Sequence, residues 1–394
     1  MTWFAAAMRK MLKVILSVDT STTMSRSLVR GIVKYSRNHG SWLFHQHVKP
    51  DEMTLAQIKK RFYPDGVIVR DRAENLKFTE LGLPTVVIVA DLRPKQGVSN
   101  VITDDAAIGE MAGRHLIERG LEHFAYFGDD KPWSRKRLAS FQKLLGKCGF
   151  KVYVCLQPKS QVEQSLTEND LDLIADWLKS LPKPVGLMAA HDECGRKILN
   201  VCKTLDMDVP KEVAVIGVDN DELICDLTDP RLSSIATDAE RAGYEAAEVL
   251  AGQMARETRN QKDIFIRPLY VVARQSTDIL NVHDEAVAKA IRYIRTHARE
   301  IIQVSDVVEA AGVSRADLYK RFHSVLGHSI SSEIRYVRAN EIARMLVETN
   351  MSISKIALSL GYHNTAHVAR FFRHEKGLTL LEYRKKYSVL KHTE

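Results

Sequence analysis

The sequence predicts two kinds of structure in one chain: an α/β body built on parallel sheets, then an all-α module. Three observations carry this. Short β-branched apolar runs alternate with stretches of helical period as far as about residue 275. Beyond Asp284, helices separated by glycines take their place. Within that last segment a helix-turn-helix pattern occurs twice. A chain of 394 residues is too long for one ordinary core, so at least two domains are expected. The boundaries read as an N-terminal extension at 1–11, the α/β body at 12–278, a linker at 279–285 and the helical module at 286–390.

Taken in order, "KVILSVD" is a strand, and "SRSLVRGIVKYSRNHG" spaces Leu28, Ile32 and Tyr35 at helical period before stopping on Gly40. Strands are expected next at 65–70, 84–91, 123–129, 151–156, 185–192 and 212–220. Helical stretches fall between most of them, at 106–119, 137–145, 171–181 and 194–205. Apolar strands with intervening amphipathic helices imply parallel sheets covered on both faces. Their number implies two such sheets.

Ligands of open α/β sheets bind beyond the carboxyl ends of strands. Asp19, Asp91, Asp129, Asp192 and Asp219 all fall there. Such carboxylates suit a metal enzyme, a phosphotransfer site or a polyol binder, or they simply cap the following helix. The equipment of the first two classes is missing. There is no G-x-x-x-x-G-K-[ST], no G-x-G-x-x-G after a strand and no G-x-S-x-G. His363 and His367 lie four apart without a following acidic pattern, and fit a polar surface better than a metal site. No metal or cofactor is expected.

No stretch approaches the ~20 apolar residues of a membrane span. The opening "MTWFAAAMRKMLKVILSVD" lacks a basic residue before its apolar run and is broken by lysines, so a ragged extension is expected, with Met8 or Met11 as alternative starts. Five scattered cysteines suit reduced thiols in the cytoplasm. Net charge is +8, and its placement matters. From Asp284 onward 18 Lys and Arg face 12 Asp and Glu, and seven of the fourteen histidines lie there. A basic terminal module on a near-neutral body suits a binder of phosphate backbones.

"VILSVDTSTTMSRSLVRGIVKYSR", "VVIVAD", "RLASF" and "VAVIGVDN…LSSIATDAERAGYEAA" together resemble the effector core of lac-repressor-type regulators and periplasmic sugar-binding proteins, over about residues 12–275. The resemblance implies a two-lobed, periplasmic-binding-protein-like sugar effector domain with a monosaccharide in its cleft. It implies Asp91, Arg137 and Asp219 as ligand-binding residues, with Arg26 and Asn220 in second rank. Carboxylates accept from adjacent hydroxyls, and a guanidinium forks across two oxygens. Trp133, read as lying in the loop before Arg137, could offer a ring to a sugar's apolar face or be a surface aromatic. Thr237 stands where that family often has glutamine.

In the module, "DEAVAKAIRYIRTHA" reads as one helix, followed by "VSDVVEAAGVSRADLYKRFHSVLG" as helix, turn, helix. Val304, Val307, Val308 and Ala311 form a buried stripe, Gly312 turns the chain, and Ser314 caps the second helix. "MSISKIALSLGYHNTAHVARFFRHEKG" repeats the arrangement, with its turn at Gly361 and with Val368 and Phe372 in the places of Leu318 and Phe322. Between them "SISSEIRYVRANEIARMLVETN" reads as one continuous amphipathic helix, a strut of roughly 28 Å at ~1.5 Å per residue. Successive major grooves lie about 34 Å apart on one side of a duplex, so the two units can face neighbouring grooves.

The span 286–387 resembles the DNA-binding domain of AraC/XylS regulators, including the ending "GLTLLEYRKKY" with Leu380 in place of proline. That resemblance implies base contacts from Ala316, Tyr319 and Lys320, and from Thr365, Ala366, His367 and Arg370. Arg315, Arg321 and Arg373 read as phosphate contacts, or as solvated surface charges. Together the two resemblances imply a cytoplasmic, sugar-responsive transcriptional regulator, an activator, dimeric through its core and acting with RNA polymerase. A pentose is favoured as effector, D-xylose first. A sugar-modifying enzyme fused to a DNA-binding domain, and a ligand-independent DNA-binding protein with a degenerate core, remain open as alternatives.

Overall fold

The structure is a computed structural model that describes residues 11–157 except 47 and 49, then 168–257, 261–278, 284–326, 328–362 and 364–387. Its α/β part runs β1 (Lys13–Ser17), α1 (Thr23–His39), β2 (Leu43–His45), α2 (Leu55–Phe62), β3 (Gly66–Arg70), α3 (Ala73–Leu76), β4 (Thr85–Val89), β5 (Ser99–Thr103), α4 (Asp105–Ile117) and β6 (His123–Asp129). It continues with α5 (Pro132–Lys147), β7 (Val152–Gln157), α6 (Glu168–Ser180), β8 (Val185–Ala189), α7 (Asp192–Thr204), β9 (Val213–Val218), α8 (Glu222–Leu227), β10 (Ser233–Thr237), α9 (Ala239–Met254), β11 (Asp263–Ile266) and β12 (Pro268–Val272). The helical part holds α10 (Glu285–Thr296), α11 (Val304–Ala311), α12 (Arg315–Leu326), α13 (Ile330–Glu348), α14 (Ile353–Ser359), α15 (Thr365–Lys376) and α16 (Leu380–Tyr387).

The strands form two six-stranded sheets, in the orders β11-β5-β4-β3-β1-β2 and β12-β10-β9-β8-β6-β7. The chain divides into two compact units. The first comprises Met1–Asp105, Lys131–Trp133 and Thr237–Arg267, and the second comprises the remainder, helical module included.

In the first unit β1, β3 and β4 lie parallel at the centre of their sheet. Val14, Leu16 and Ile68 pack on one face against Leu28 and Ile32 of α1 and Ala246 and Leu250 of α9. Ile15, Val67, Val69 and Val87 fill the other face with Ile58 and Phe78. Burial on both faces is why these strands read as continuous apolar runs. In the second unit β8 and β9 are buried along their whole length.

The helical module has two small cores, one at each end of α13. Val287, Ile291, Val307, Leu318, Phe322, Ile330 and Ile334 form the first, and Ile342, Leu346, Ile356, Leu360, Val368 and Phe372 the second. The 19 residues of α13 give a strut of ~28 Å. It does not carry the single apolar stripe expected of it. Each end packs a different set of side chains into a different core, so the apolar face changes along the helix. Val304 and Val308 of α11 are only partly buried, whereas Val307 and Ala311 are fully so. Leu380 begins α16 and is buried, and Thr379 and Glu382 cap that helix reciprocally, at 3.1 and 2.8 Å.

Candidate effector-binding and DNA-binding sites

At the carboxyl ends of β1, β3 and β4 the first unit gathers charged side chains. Asp71 is buried, and its Oδ2 accepts hydrogen bonds from the amides of Ala90, Asp91 and Leu92 at 2.8, 2.8 and 2.7 Å. This fixes the turn that presents Asp91. The Oδ1 atoms of Asp71 and Asp91 are buried without a hydrogen-bond partner among the described residues. A buried carboxylate oxygen left unpaired is costly, and such an atom at a strand end marks where a hydroxyl can donate. Asp19 accepts from the Ser21 amide at 2.9 Å and pairs with Arg72 at 3.0 Å. The amide holds its carboxyl below the ordinary value, opposed by burial and helped by Arg72. Arg26 donates to the carbonyls of Thr20 and Ser21 and to the Thr23 hydroxyl, at 3.1, 2.7 and 2.7 Å, so it braces the β1–α1 loop.

The second unit builds its cluster on the ends of β6, β8 and β9. Asp219 and Asn220 both take left-handed backbone conformations, with φ of 97° and 48°. Non-glycine residues rarely do so, and consecutive ones mark a corner held by its surroundings. Here the Asp219 amide donates to the Ile235 carbonyl at 2.9 Å, and the Asn220 amide to the Ser234 hydroxyl at 3.0 Å. Arg274 donates to Asn220 Oδ1 at 2.9 Å, so the Asn220 side chain serves the corner. Asp219 Oδ1 is buried and has no hydrogen-bond partner among the described residues.

Asp192 opens α7 and is buried. It accepts from the Ser234 hydroxyl at 2.5 Å and the Asp221 amide at 2.7 Å. Burial, reinforced by the Asp219 charge, pushes its carboxyl up to about 8. Arg137 is buried on α5 and donates to the Ala190 carbonyl just beyond β8. Trp133 is half-buried in the first turn of α5 and not in a loop: Pro132 opens the helix five residues before Arg137, at a position where proline's missing N–H costs nothing.

Asp129, His191 and Cys194 place one ligand-type atom each within 4.8 Å of one another. His191 Nδ1 accepts from the Cys194 amide at 3.4 Å, which leaves the proton on Nε2, 3.3 Å from Asp129 Oδ2 and 3.4 Å from Cys194 Sγ. The trio is therefore internally hydrogen-bonded, and metal binding would require that proton to leave.

In the helical module both turns have the geometry their glycines allow, with φ of 71° at Gly312 and 78° at Gly361. Ser314 Oγ accepts from the Asp317 amide at 3.3 Å, and Asn364 Oδ1 from the Ala366 amide at 2.8 Å, capping α12 and α15. Leu318, Phe322, Val368 and Phe372 point inward. Arg315, Ala316 and Lys320 on α12, and Thr365, Ala366, His367, Arg370 and Arg373 on α15, are exposed. Tyr319 is half-buried under the Arg315 guanidinium, 5.6 Å from its ring centre. Arg321 is exposed but already paired with Asp317 at 2.6 Å and Asp284 at 3.2 Å. His363 lies outside the described residues.

Sequence reasoning missed the supports of these sites. Asp71 follows a strand just as Asp91 does and could have been found by the same rule. Ser234 and Arg274 carry no such signal, because only the fold brings them to Asp192 and Asn220.

One further set of contacts joins the module to the second sheet. Thr277, fully buried just before the module, receives Arg119 Nε on its carbonyl at 2.7 Å. Its hydroxyl meets His115 Nε2 at 2.9 Å and Ser233 Oγ at 2.7 Å. Arg295 of α10 pairs with Asp278.

Comparison with known proteins finds two domain families in the chain. A family model of periplasmic binding protein-like domains matches residues 114–277, and one of helix-turn-helix domains matches residues 307–386. The xylose operon regulatory protein of Escherichia coli K12 is 30% identical over 386 residues, covering 94% of this chain and 96% of that protein. The chain belongs to the family of xylose operon regulatory proteins. The member from Haemophilus influenzae is 29% identical over 383 residues, covering 94% and 98%. Among solved structures, the xylose-binding transcription activator xylR matches with a TM-score of 0.60 at 29% identity, over 96% of this chain and 99% of that one. The family is one of transcriptional regulators. Among the described residues no helix is long and apolar enough to cross a membrane.

Proposed function

We propose that the protein regulates transcription in response to a monosaccharide, with D-xylose as effector, and that it activates a pentose operon. One observation carries the sugar reading: Asp219, on a strained corner, keeps a buried carboxylate oxygen without a hydrogen-bond partner among the described residues beside a strand end. Asp91 offers a second such oxygen. Arg137 supplies the guanidinium, with Trp133 and Asn220 as lesser contributors. Arg26, committed to its own loop, takes a supporting place. That the family's members are named for the xylose operon, and the matching structure for xylose binding, favours this sugar over other pentoses.

Ala316, Tyr319, Lys320, Thr365, Ala366, His367 and Arg370 read bases, while Arg315, Arg321 and Arg373 hold phosphates. Arg321 must first leave Asp284 or Asp317. The protein acts in the cytoplasm as a homodimer, contacts RNA polymerase, and turns over no substrate. A sugar signal can shift DNA binding only through different affinities for two conformations. Thr277, gripped by α4 and β10 at the edge of the module, is the joint through which it passes.

A thermal-shift screen of the full chain against pentoses and hexoses tests the reading. A ligand at about 100 times its dissociation constant adds roughly 2.7 kcal/mol. D-xylose should raise the midpoint and should fail to do so in Asp219→Ala. A shift with another sugar alone would replace xylose, and silence across the panel would remove the sugar sensor.

A further inference from the structure

Beside the second reading helix lies a groove of about 510 Å³ lined by Ile334, Arg335, Arg338, Tyr362, His367, Arg370 and Phe371. It runs between the strut α13 and α15, and its lining holds three arginines and a histidine but no carboxylate. Arg338 is more than nine-tenths buried. Its Nη2 donates to the Leu360 carbonyl at 2.8 Å, and its guanidinium lies 4.6 Å from the centre of the Tyr362 ring. Its Nε has no hydrogen-bond partner among the described residues. Arg335 is exposed at the rim, 3.2 Å from Glu375. A concentration of cations on uncharged walls, with a buried donor unsatisfied, is complementary to an anion.

We propose that this groove seats a backbone phosphate of the bound DNA. Arg335 is its principal contact, and Arg338 supplies fixed positive charge at its floor. The inference rests on the DNA-binding reading and extends it from the two recognition helices to the strut joining them. The placement argues for the duplex as occupant. His367 and Arg370 belong both to the groove and to the exposed face of α15, so DNA that meets the reading helix passes the groove mouth. Two heads in successive major grooves leave the strut facing the sugar-phosphate ridges between them. On binding, Arg335 exchanges Glu375 for the phosphate. It sets register and carries no sequence information.

The test uses the full-length protein and a labelled duplex enriched from a random-sequence pool by the wild type, with affinity measured across a salt series. Each phosphate contact contributes about 0.9 to the slope of log affinity against log salt. Arg335→Ala should lower the slope by about that amount, weaken binding equally on enriched and scrambled duplexes, and keep the wild-type thermal midpoint. Arg335→Lys should retain the slope. Glu375→Gln, which frees Arg335, should tighten binding at low salt. An unchanged slope in Arg335→Ala, or a loss confined to particular sequences, would overturn the proposal while leaving the recognition helices in place. A wild type that enriches no duplex would overturn the DNA-binding reading itself.

Discussion

Asp192 is where burial and hydrogen bonding pull hardest against each other. Two donors address its carboxylate, yet it is 2% exposed and stands near Asp219, and its proton is held up to about pH 8. The folded protein therefore keeps a proton that the unfolded chain gives up near the ordinary aspartate value of 3.8. Stability from this group is complete below about pH 4 and falls as pH rises towards about 8. Asparagine mimics the protonated acid, accepting from the Asp221 amide and donating to Ser234. Asp192→Asn should fold and should flatten that part of the pH profile, as urea midpoints at several pH values would show. An unchanged profile would mean that Asp192 is ionised in the fold.

At the scale of elements, the two helix-turn-helix units differ in what their turns tolerate. Gly312 opens onto empty space, so alanine there meets only the left-handed backbone penalty, roughly 1–2 kcal/mol. A Cβ on Gly361 would sit 2.9 Å from Ile301 Cγ1. Gly361→Ala should therefore cost more than Gly312→Ala in urea unfolding, and equal costs would show that Ile301 moves away freely. Phe322 and Phe372 are each fully buried in one of the two cores, and truncation of either to alanine should cost about 3–5 kcal/mol. Because each core belongs to one end of α13, Phe322→Ala should affect DNA contacts of the first unit before those of the second. Footprinting of the two half-contacts measures this.

At the scale of the molecule, Thr277 is the buried residue that ties the end of the α/β body to α4 and β10 shortly before the helical module begins. His115 is buried at the threonine, and that burial, with Arg119 and Arg295 near, holds it neutral well below the usual histidine value. It is thus a fixed hydrogen-bonding group and not a charge switch. Arg119→Met should leave a sugar-induced thermal shift intact while weakening the change that the sugar produces in DNA affinity. Joint loss of both would place Arg119 in the stability of the second unit rather than in the coupling. His328 on the module links the Leu326 carbonyl to Glu333, at 2.8 and 2.9 Å, and the Glu333 hydrogen bond raises its affinity for a proton. Its contribution to stability is present at low pH and is lost as pH rises past that raised value, so His328→Gln should flatten the profile there.

The parallel α/β class, the doubled helix-turn-helix, the inward Leu318, Phe322, Val368 and Phe372, and the strand-end positions of Asp91 and Asp219 are all legible in the sequence. These are local facts: apolar period, glycine at turns and the last polar residue of a strand are written in consecutive residues. Tertiary structure alone decided the rest. Strand β5 was not legible because Ser99 and Asn100 look like loop residues. They are buried by partners far along the chain, Ser99 by Gln253 and the Lys262 amide, Asn100 by the Lys95 carbonyl and Asp263. Strand β10 hides for the same reason, since Ser233 and Ser234 are satisfied by distant partners, Ser233 by Arg274 and Thr277, Ser234 by Asp192 and the Asn220 amide. The rotation of the strut's apolar face, the strained corner at Asp219 and the cationic groove likewise depend on which segments meet. Pattern fixes what a residue can bury or present, whereas the hydrogen bonds that let a polar residue be buried come from elsewhere in the chain.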